Sequence, residues 1–213
     1  MCVQAIIPFK PVNPKTRLSC VLSMPEREQF AKAMLGDVIS AVTRAGCRPC
    51  ILSTHPFSRE DAGTVVNDKG LNEALNECLA ALHRPVLIIM SDLPLATPDA
   101  VARLLHTEAD VGIVPGRGGG TNSLFIKQPQ RFHVDFYGAS FLDHVGIARA
   151  AGLSIEIIDS FRLHTDVDEK EDLVEILLHG EGRSRAFLVE LGFSLSIEKG
   201  RVGIQRDPHK QAF

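Results

Sequence analysis

The sequence predicts an α/β protein in which helices cover both faces of a mostly parallel sheet, giving three layers. Short apolar runs rich in Val and Ile recur along the chain, and segments with helical periodicity separate them. With 213 residues, 45% of them hydrophobic, the chain is long enough to bury one substantial core. No linker, internal repeat or low-complexity tract interrupts it. Residues 1–213 are therefore predicted to form a single domain.

The first half of the chain alternates strands and helices. The run VQAIIPF predicts a buried strand, and a loop without clear periodicity follows from Lys10 to Leu22. Ser23, Pro25 and Glu26 form a capping box with proline in the first turn, which predicts a helix that ends at Gly46. The next predicted elements are the strand CILST, a short strand in GTVVND, a helix from Gly70 and a strand over Val86–Met90.

The second half continues this alternation and ends in an antiparallel pair. Thr97 is the predicted N-cap of a helix. Residues 193–206, which turn at Lys199-Gly200, have the pattern of a β-hairpin that either covers a sheet edge or pairs with a second subunit in a homodimer. Between them we predict strands at DVGIVP, SLFIK and LSIEIID, and helices over Phe141–Ala151 and Leu173–Leu178.

The composition argues against several classes of partner. A net charge of −3 gives no indication of a nucleic-acid partner or an anionic membrane surface. No apolar run approaches the roughly 20 residues of a membrane-spanning helix, and the N-terminus lacks the features of a signal peptide. We therefore expect a soluble cytoplasmic protein.

Five cysteines are an odd number, which disfavours a closed disulfide framework. Cys47 and Cys50 form a C-x-x-C motif, but it follows a predicted helix and enters a strand. A redox motif of this type has the reverse order, and no second cysteine pair completes a zinc site. Structural cysteines are the favoured interpretation, and a redox or metal role is the alternative.

Three chemically suggestive segments come directly after predicted strands. They are Lys10–Arg17, Ser91-Asp92 and Gly116–Asn122. The carboxyl ends of parallel strands share one edge of a sheet, where open α/β folds bind ligands, so we expect these segments to converge there. The alternative for Asp92 is that it only caps a turn.

Cations and backbone amides in these segments indicate an anionic ligand. Lys10, Lys15 and Arg17 can bind phosphate groups, although they could also form a solvated basic loop. The consecutive glycines 118–120 can expose N–H groups to an anion, or can simply make a flexible loop. The spacing fits neither a Walker A loop nor a dinucleotide fingerprint.

Carboxylates farther along the chain suggest a hard cation. Asp166 and Asp168 are two residues apart and share one side of an extended backbone. Together with Asp92 they form a candidate Mg²⁺ site, unless one of them only caps the following helix. The chain shows no identifiable arrangement of histidine beside a serine nucleophile. The set therefore favours phosphoryl or nucleotidyl transfer by positioning and metal.

Six strings, in order, resemble the 2-phospho-L-lactate guanylyltransferase family: IPFKPVNPKTRLS, GLNEAL, SDLPL, GGGTNSL, YGASFLDH and TDVDEKEDL. The resemblance extends from about Ile6 to Leu173 and implies a nucleotide-diphospho-sugar-transferase-like fold. It also implies transfer of GMP from GTP to 2-phospho-L-lactate, or to phosphoenolpyruvate in some members. Pyrophosphate leaves, and the product enters the biosynthesis of the deazaflavin coenzyme F420.

The resemblance also implies roles for individual residues of this chain. The residues implied in catalysis are Lys10, Lys15, Arg17 and Asp92. The nucleotide-binding set adds Pro8, Gly70, Leu71, Asn72 and Ser91 to the three cations. The acceptor-binding set is Gly120, Thr121, Asn122, Gly138 and Ser140. Magnesium is implied on Asp92, Asp166 and Asp168.

This chain departs from the family pattern at two places. It reads FYGAS over Phe136–Ser140 where relatives often have FGPGS, so the backbone contact from their first glycine is not expected here. Pro94 stands where some relatives have a second acidic residue, which leaves one or two metals open.

Two other functions remain as alternatives. The first is transfer to a sugar phosphate or a molybdopterin-type acceptor, against which the small implied acceptor pocket argues. The second is nucleotide binding without turnover, against which the intact set of acids and cations argues.

Overall fold

The computed structural model describes residues 2–207 and contains a seven-stranded sheet. Its strands are β1 (Gln4–Phe9), β2 (Arg48–Ser53), β3 (Gly63–Val66), β4 (Val86–Ile89), β5 (Val111–Pro115), β6 (Thr121–Ile126) and β7 (Ile155–Ile157). Their order across the sheet is β3-β2-β1-β4-β6-β5-β7. Only β6 runs antiparallel to its neighbours, β4 and β5. The predicted mostly parallel sheet is confirmed.

Helices cover both faces of this sheet. They are α1 (Met24–Arg44), α2 (Leu71–Ala81), α3 (Pro98–Leu105), α4 (Ser140–Ala150), α5 (Phe161–His164), α6 (Leu173–His179) and α7 (Arg183–Glu190). One core cluster lies between the sheet and helices α1 and α3, and a second lies under α2 and α4. On β1, Ile7 joins the first cluster and Ile6 the second, because successive strand side chains point to opposite faces. The three predicted layers are confirmed.

Two helix starts follow the local signals in the sequence. Glu26 Oε2 accepts a hydrogen bond from the Ser23 amide at 2.8 Å and completes the capping box of α1. Thr97 Oγ1 accepts from the Ala100 amide at 3.3 Å at the start of α3. Each signal needs only residues three apart, so the sequence alone is sufficient to show it.

The segment from Lys10 to Leu22 differs from the predicted structureless loop. It contains a 3₁₀ helix over Thr16–Cys20, in which Leu18 is fully buried. Leu18 and Leu22 pack into a third core cluster with residues of α1, α6 and α7. Two apolar side chains four residues apart are too few to show a helical period in the sequence.

Helix α7 was not predicted, and its N-terminus shows why. Asp37 of α1 accepts from the Arg183 amide at 2.6 Å and from the Ser184 amide at 3.0 Å. It also accepts from Ser184 Oγ at 2.5 Å. The capping carboxylate therefore comes from a helix far away in the sequence, so α7 carries no local start signal.

The C-terminal hairpin consists of β8 (Phe193–Glu198) and β9 (Arg201–Arg206). Lys199 and Gly200 both have positive φ, at 50° and 77°, as a two-residue type I′ turn requires. The hairpin forms a sheet of its own and packs on α6 and α7 through the third core cluster. It therefore does not join an edge of the seven-stranded sheet, and the homodimer interpretation stays a prediction.

The C-x-x-C segment has the character of a structural element. All five cysteines are free thiols, and Cys47 is buried. Burial and the neighbouring Cys2 raise the pKa of Cys47 to about 11, and burial also raises the pKa of Cys50. Redox chemistry and metal binding need the thiolate, so these surroundings favour the structural interpretation.

Across residues 2–207, no helix has both the length and the apolar composition that a membrane span requires.

Candidate active site

A cavity of about 500 Å³ opens at the carboxyl edge of the sheet, among the ends of β1, β2 and β4. The chain passes from β1 to β2 on one side, whereas β4 lies on the other, so the cavity is at a topological switch point. Its volume falls in the range of small-molecule sites, roughly 300–1,000 Å³. Eight predicted site residues line it: Pro8, Lys10, Lys15, Arg17, Leu71, Ser91, Asp92 and Asp168.

The Lys15 ammonium joins two of the predicted acids. Its Nζ donates to Asp92 Oδ2 at 2.5 Å and to Asp168 Oδ1 at 2.7 Å. Burial lowers the pKa of Lys15, but the charges and hydrogen bonds of both carboxylates outweigh that effect and raise it above its usual value. Burial raises the pKa of Asp168, but Lys15 and Arg17 outweigh that effect and lower it. Lys15 and Asp168 are therefore both charged at neutral pH.

The loop after β1 delivers Lys15 in a fixed backbone conformation. Lys15 has φ 50° and ψ 49°, in the left-handed region. The nearly buried Arg27 of α1 donates from Nη1 to Pro14 O at 2.6 Å and to Asn13 Oδ1 at 2.9 Å. Arg27 thus holds the loop immediately before Lys15. The sequence analysis missed it because an arginine on a long helix is usually a solvated residue.

The two acidic segments are held together through their backbones. The Val167 amide donates to the Asp92 carbonyl at 3.1 Å, and the Val167 side chain is fully buried. Asn122 Nδ2 donates to the carbonyls of Leu163 at 3.1 Å and His164 at 2.9 Å. Asn122, predicted to bind the acceptor, therefore points toward the segment that carries the acids and positions it.

The alternative that Asp166 or Asp168 caps the next helix is wrong. The N-cap residue of the 3₁₀ helix over Lys170–Asp172 is Glu169, whose side chain accepts from the Asp172 amide. Asp172 Oδ2 accepts in return from the amides of Asp168 and Glu169, both at 2.8 Å. Asp166 instead accepts from Asn122 Nδ2 at 3.3 Å. Asp166 and Asp168, two of the three predicted metal ligands, therefore have different surroundings.

The geometry suits a cation on two carboxylates. Within residues 2–207, no group of three or more His, Cys, Asp and Glu side chains is arranged to hold a metal ion. Asp92 Oδ1, however, is buried without a hydrogen-bond partner, and Asp168 lines the same cavity. Mg²⁺ commonly takes one or two carboxylates and completes its shell with phosphate oxygens and water. Asp92 and Asp168 fit such an ion. Asp166 does not line the cavity, and its carboxylate accepts from Asn122 instead.

The predicted acceptor residues lie beside the cavity, on the β6 side of β4. The Met90 amide donates to the Asn122 carbonyl at 3.0 Å, which places Thr121 next to the end of β4. Thr121 is buried at the start of β6, and Ser140 is buried at the start of α4. Gly138 is exposed and has φ 64°, a left-handed conformation that favours glycine. Gly120, immediately before β6, has extended backbone.

Of the predicted segment near the base, only Leu71 lines the cavity. Asn72 instead holds the acceptor segment: its Nδ2 donates to Asp135 Oδ1 and its Oδ1 accepts from the Phe136 amide, both at 2.7 Å. Gly70 is the exposed N-cap residue of α2. Asn72 therefore connects α2 to the loop that precedes α4.

Among the lining residues that the sequence analysis missed, three are polar and lie outside every segment predicted to form the site: Thr54, Asn67 and Lys69. No motif marks them. Thr54 directly follows β2 and Asn67 directly follows β3, so the rule that singled out Asp92 could have found both.

A family model described as "Guanylyl transferase CofC like" matches residues 3–206. The chain belongs to this CofC-like guanylyl transferase family. The 2-phospho-L-lactate guanylyltransferase of Methanoculleus marisnigri is 59% identical over all of both chains. Its counterpart in Methanoregula boonei is 58% identical, over 97% of this chain and 96% of that one. The resemblance stated from the sequence is confirmed, and so is the prediction of a nucleotidyltransferase enzyme.

Solved structures share the fold of this CofC-like chain. A putative nucleotide-diphospho-sugar transferase from Desulfovibrio desulfuricans has a TM-score of 0.73 at 18% identity, covering 89% of this chain and 95% of that one. A nucleotidyl transferase from Methanothermobacter has a TM-score of 0.60 at 16% identity, covering 88% and 98%. At such identities the likeness concerns the fold alone, and it confirms the predicted nucleotide-diphospho-sugar-transferase-like architecture.

Proposed function

We propose that this CofC-like chain transfers GMP from GTP to 2-phospho-L-lactate, with release of pyrophosphate, in the biosynthesis of coenzyme F420. The observation that carries the proposal is the Lys15 ammonium, held between Asp92 and Asp168 at the switch point of the sheet. A cation paired with two acids suits a site that handles phosphates together with a metal. The names of the relatives supply the substrates.

The cavity offers a distinct surface to each part of a nucleoside triphosphate. Apolar Leu52, Leu71 and Ala74 line the part that faces β2 and α2, where a base and ribose would lie. Lys10, Lys15 and Arg17 line the part that follows β1, where the triphosphate would lie. Thr54 and Asn67 provide polar atoms at the base end.

The reaction needs positioning and charge more than it needs a proton acceptor. A phosphate oxygen of the acceptor attacks the α-phosphorus of GTP, a new P–O bond forms, and the bond to the β-phosphate oxygen breaks. The attacking oxygen is already anionic, so no general base is required. Lys15, Lys10 and Arg17 would neutralise charge on the transferred group and on the leaving pyrophosphate.

Magnesium is the proposed cofactor, with Asp92 and Asp168 as its protein ligands. A bound Mg²⁺ would supply further charge neutralisation on phosphate oxygens. The chain's own contribution is to hold those two carboxylates in place, through the Val167 amide and through the side chain of Asn122.

The acceptor would bind between β6 and α4. The hydroxyls of Thr121 and Ser140 and the first amides of α4 can donate to a phosphate or a carboxylate. Both hydroxyl residues are buried, so they suit a small acid and leave little room for a sugar phosphate or a molybdopterin-type acceptor. Gly138 keeps the approach to α4 free of a side chain.

We also propose that the protein acts in the cytoplasm as a homodimer, without a nucleic-acid or membrane partner. Its net charge of −3 supports the exclusion of anionic polymers and surfaces. The exposed Ile197 of the hairpin supports a contact between subunits.

The test is pyrophosphate release with GTP, Mg²⁺ and one of four acceptors: 2-phospho-L-lactate, phosphoenolpyruvate, a sugar phosphate or a pterin. ATP and CTP are the nucleotide controls. We expect release that depends on GTP and on 2-phospho-L-lactate. Release only with a sugar phosphate or a pterin acceptor would overturn the proposed acceptor. Tight GTP binding with no release for any acceptor would favour a non-catalytic nucleotide-binding protein.

A further inference from the structure

A buried histidine lies next to the proposed acceptor site, and the chemistry described above does not use it. His144 of α4 has no solvent-exposed surface. The ring of Phe136 meets it edge-on at 4.8 Å, and that of Phe132 lies at 6.0 Å. Both ring nitrogens make hydrogen bonds, one to a backbone amide and one to Thr121.

These two partners determine which nitrogen carries the proton. The Asp135 amide donates to His144 Nε2 at 3.1 Å, so Nε2 must present its lone pair. A neutral imidazole then carries its hydrogen on Nδ1. The opposite tautomer would set two N–H donors against each other. Burial lowers the pKa of His144 to about 4, which keeps the ring neutral at physiological pH.

The direction of the second hydrogen bond follows. His144 Nδ1 lies 2.9 Å from Thr121 Oγ1 and donates to it. The Thr121 oxygen is therefore an acceptor in this contact, and its own hydrogen is left for another partner. In the part of the chain that the structure describes, the Thr121 hydroxyl makes no other hydrogen bond. A hydroxyl in this state is an oriented donor, which is what an anion needs.

We propose that His144 is a positioning residue for the acceptor: it fixes the Thr121 hydroxyl as a hydrogen-bond donor to the acidic substrate. The inference rests on the proposed function, because it takes Thr121 as an acceptor-binding residue. The same ring also ties Asp135 in place, and Asn72 holds the Asp135 side chain from α2. The relay thus extends from the loop before α4, through His144, to the start of β6.

Two substitutions separate the two hydrogen bonds of the ring. In His144→Asn the amide nitrogen replaces Nδ1 and can still donate to Thr121. In His144→Gln the amide oxygen replaces Nε2 and can accept from Asp135, but Thr121 loses its donor. We expect His144→Gln to raise the KM for the acceptor about tenfold, in line with loss of one oriented bond to a charged group. The KM for GTP should change less than about twofold.

A double-mutant cycle tests whether His144 acts through Thr121. In a Thr121→Val background, which removes the hydroxyl, His144→Gln should cause no further rise in the acceptor KM. Thr121→Ser keeps the hydroxyl and should preserve the effect of His144→Gln. Additive losses, or equal acceptor KM values for His144→Asn and His144→Gln, would overturn the proposal.

A measurement on the unaltered protein keeps the proposal testable if the variants do not fold. Nitrogen-15 NMR of the histidine rings distinguishes the two neutral tautomers. We expect a proton on Nδ1 of His144, and a proton on Nε2 would overturn the inference. This result is independent of turnover. A wild-type protein that releases no pyrophosphate would contradict the proposed function and leave the tautomer assignment standing.

Discussion

Lys15 Nζ lies 2.5 Å from Asp92 Oδ2, although the two residues are 77 positions apart in the sequence. Asp168 Oδ1 lies 2.7 Å from the same nitrogen, so the two carboxylate oxygens are within about 5 Å of each other. Unscreened by a cation, two such charges repel by roughly 3 kcal/mol at an effective dielectric near 20. The Lys15 ammonium offsets this repulsion, and its charge helps to hold the pKa of Asp168 below its usual value.

Replacing Lys15 by methionine tests this relationship. We expect Lys15→Met to lower turnover at least about 100-fold, since a charge that stabilises the transferred phosphoryl group is lost. We also expect Mg²⁺ to raise the Tm of this variant more than that of the wild type, because the two carboxylates lack a cation. Thermal melts with and without Mg²⁺ measure the second effect. Lys10→Met is the matched control, because Lys10 is exposed and pairs with neither acid. Equal Mg²⁺ shifts in both variants would contradict the expectation.

Asp92→Asn preserves the shape of the side chain and removes its charge. Asp92 Oδ1 is buried without a hydrogen-bond partner, and Asp92 Oδ2 pairs with Lys15. Because the substitution removes the charge that would bind Mg²⁺, we expect turnover with Mg²⁺ to fall at least about 100-fold. The control is Glu169→Gln, whose side chain is 61% exposed and 3.7 Å from Arg17. It should retain turnover within about twofold. Pyrophosphate release measures both, and near-wild-type turnover in Asp92→Asn would remove the proposed role.

Gly116 allows Asn122 to approach the backbone of the glycine loop. A Cβ at Gly116 would lie 2.3 Å from Asn122 Oδ1, so alanine must displace the side chain that holds the acidic segment. We expect Gly116→Ala to lower the free energy of unfolding by about 1–3 kcal/mol and to reduce activity. Gly146→Ala, within α4 and with no atom within 4 Å of its Cβ, should be neutral or stabilising by up to about 1 kcal/mol. Urea titrations compare the two, and equal stabilities would refute the steric argument.

His144 makes the stability of the protein depend on pH. Its pKa is lowered to about 4 in the folded state, against about 6.5 in the unfolded chain. Its stabilising contribution is fully present above about pH 6.5 and is lost as the pH falls toward 4, because the unfolded chain takes up the proton first. The difference corresponds to about 3 kcal/mol. Urea unfolding at pH 7 and pH 4.5 should show the wild type losing more stability than His144→Asn. If the free energy of unfolding depends on pH identically in the two proteins, His144 is not the group responsible.

The hairpin offers a test of the predicted homodimer. Ile197 and Val202 are opposite each other across β8 and β9, and they are 78% and 50% exposed. We expect light scattering to give a dimer for the wild type and a monomer for Ile197→Glu, because a charge there opposes burial. Ser194→Glu, on the other face of β8, should remain a dimer. A monomeric wild type at the same concentration contradicts the prediction.

The sequence by itself determined the elements whose signals are local. The capping box at Ser23, the N-cap at Thr97 and the turn at Lys199-Gly200 each depend on neighbouring residues, and all three occur in the structure. The apolar run that ends in Ser91-Asp92 likewise predicted a buried strand with an acid at its carboxyl end. Sequence strings were also sufficient to indicate the family, because they record residue identity directly.

Only the tertiary structure decided how the site residues use their side chains. Asn72 and Asn122 were both predicted to contact ligands, but they hold other segments of the chain instead. Asp166 accepts from Asn122, whereas Lys15 binds Asp92 and Asp168. The start of α7 depends on Asp37, far away in α1. Such contacts join residues widely separated in the sequence, so they produce no periodicity or spacing that a sequence pattern can show. Their partners are set by the packing of helices and strands, which brings distant segments of the chain together.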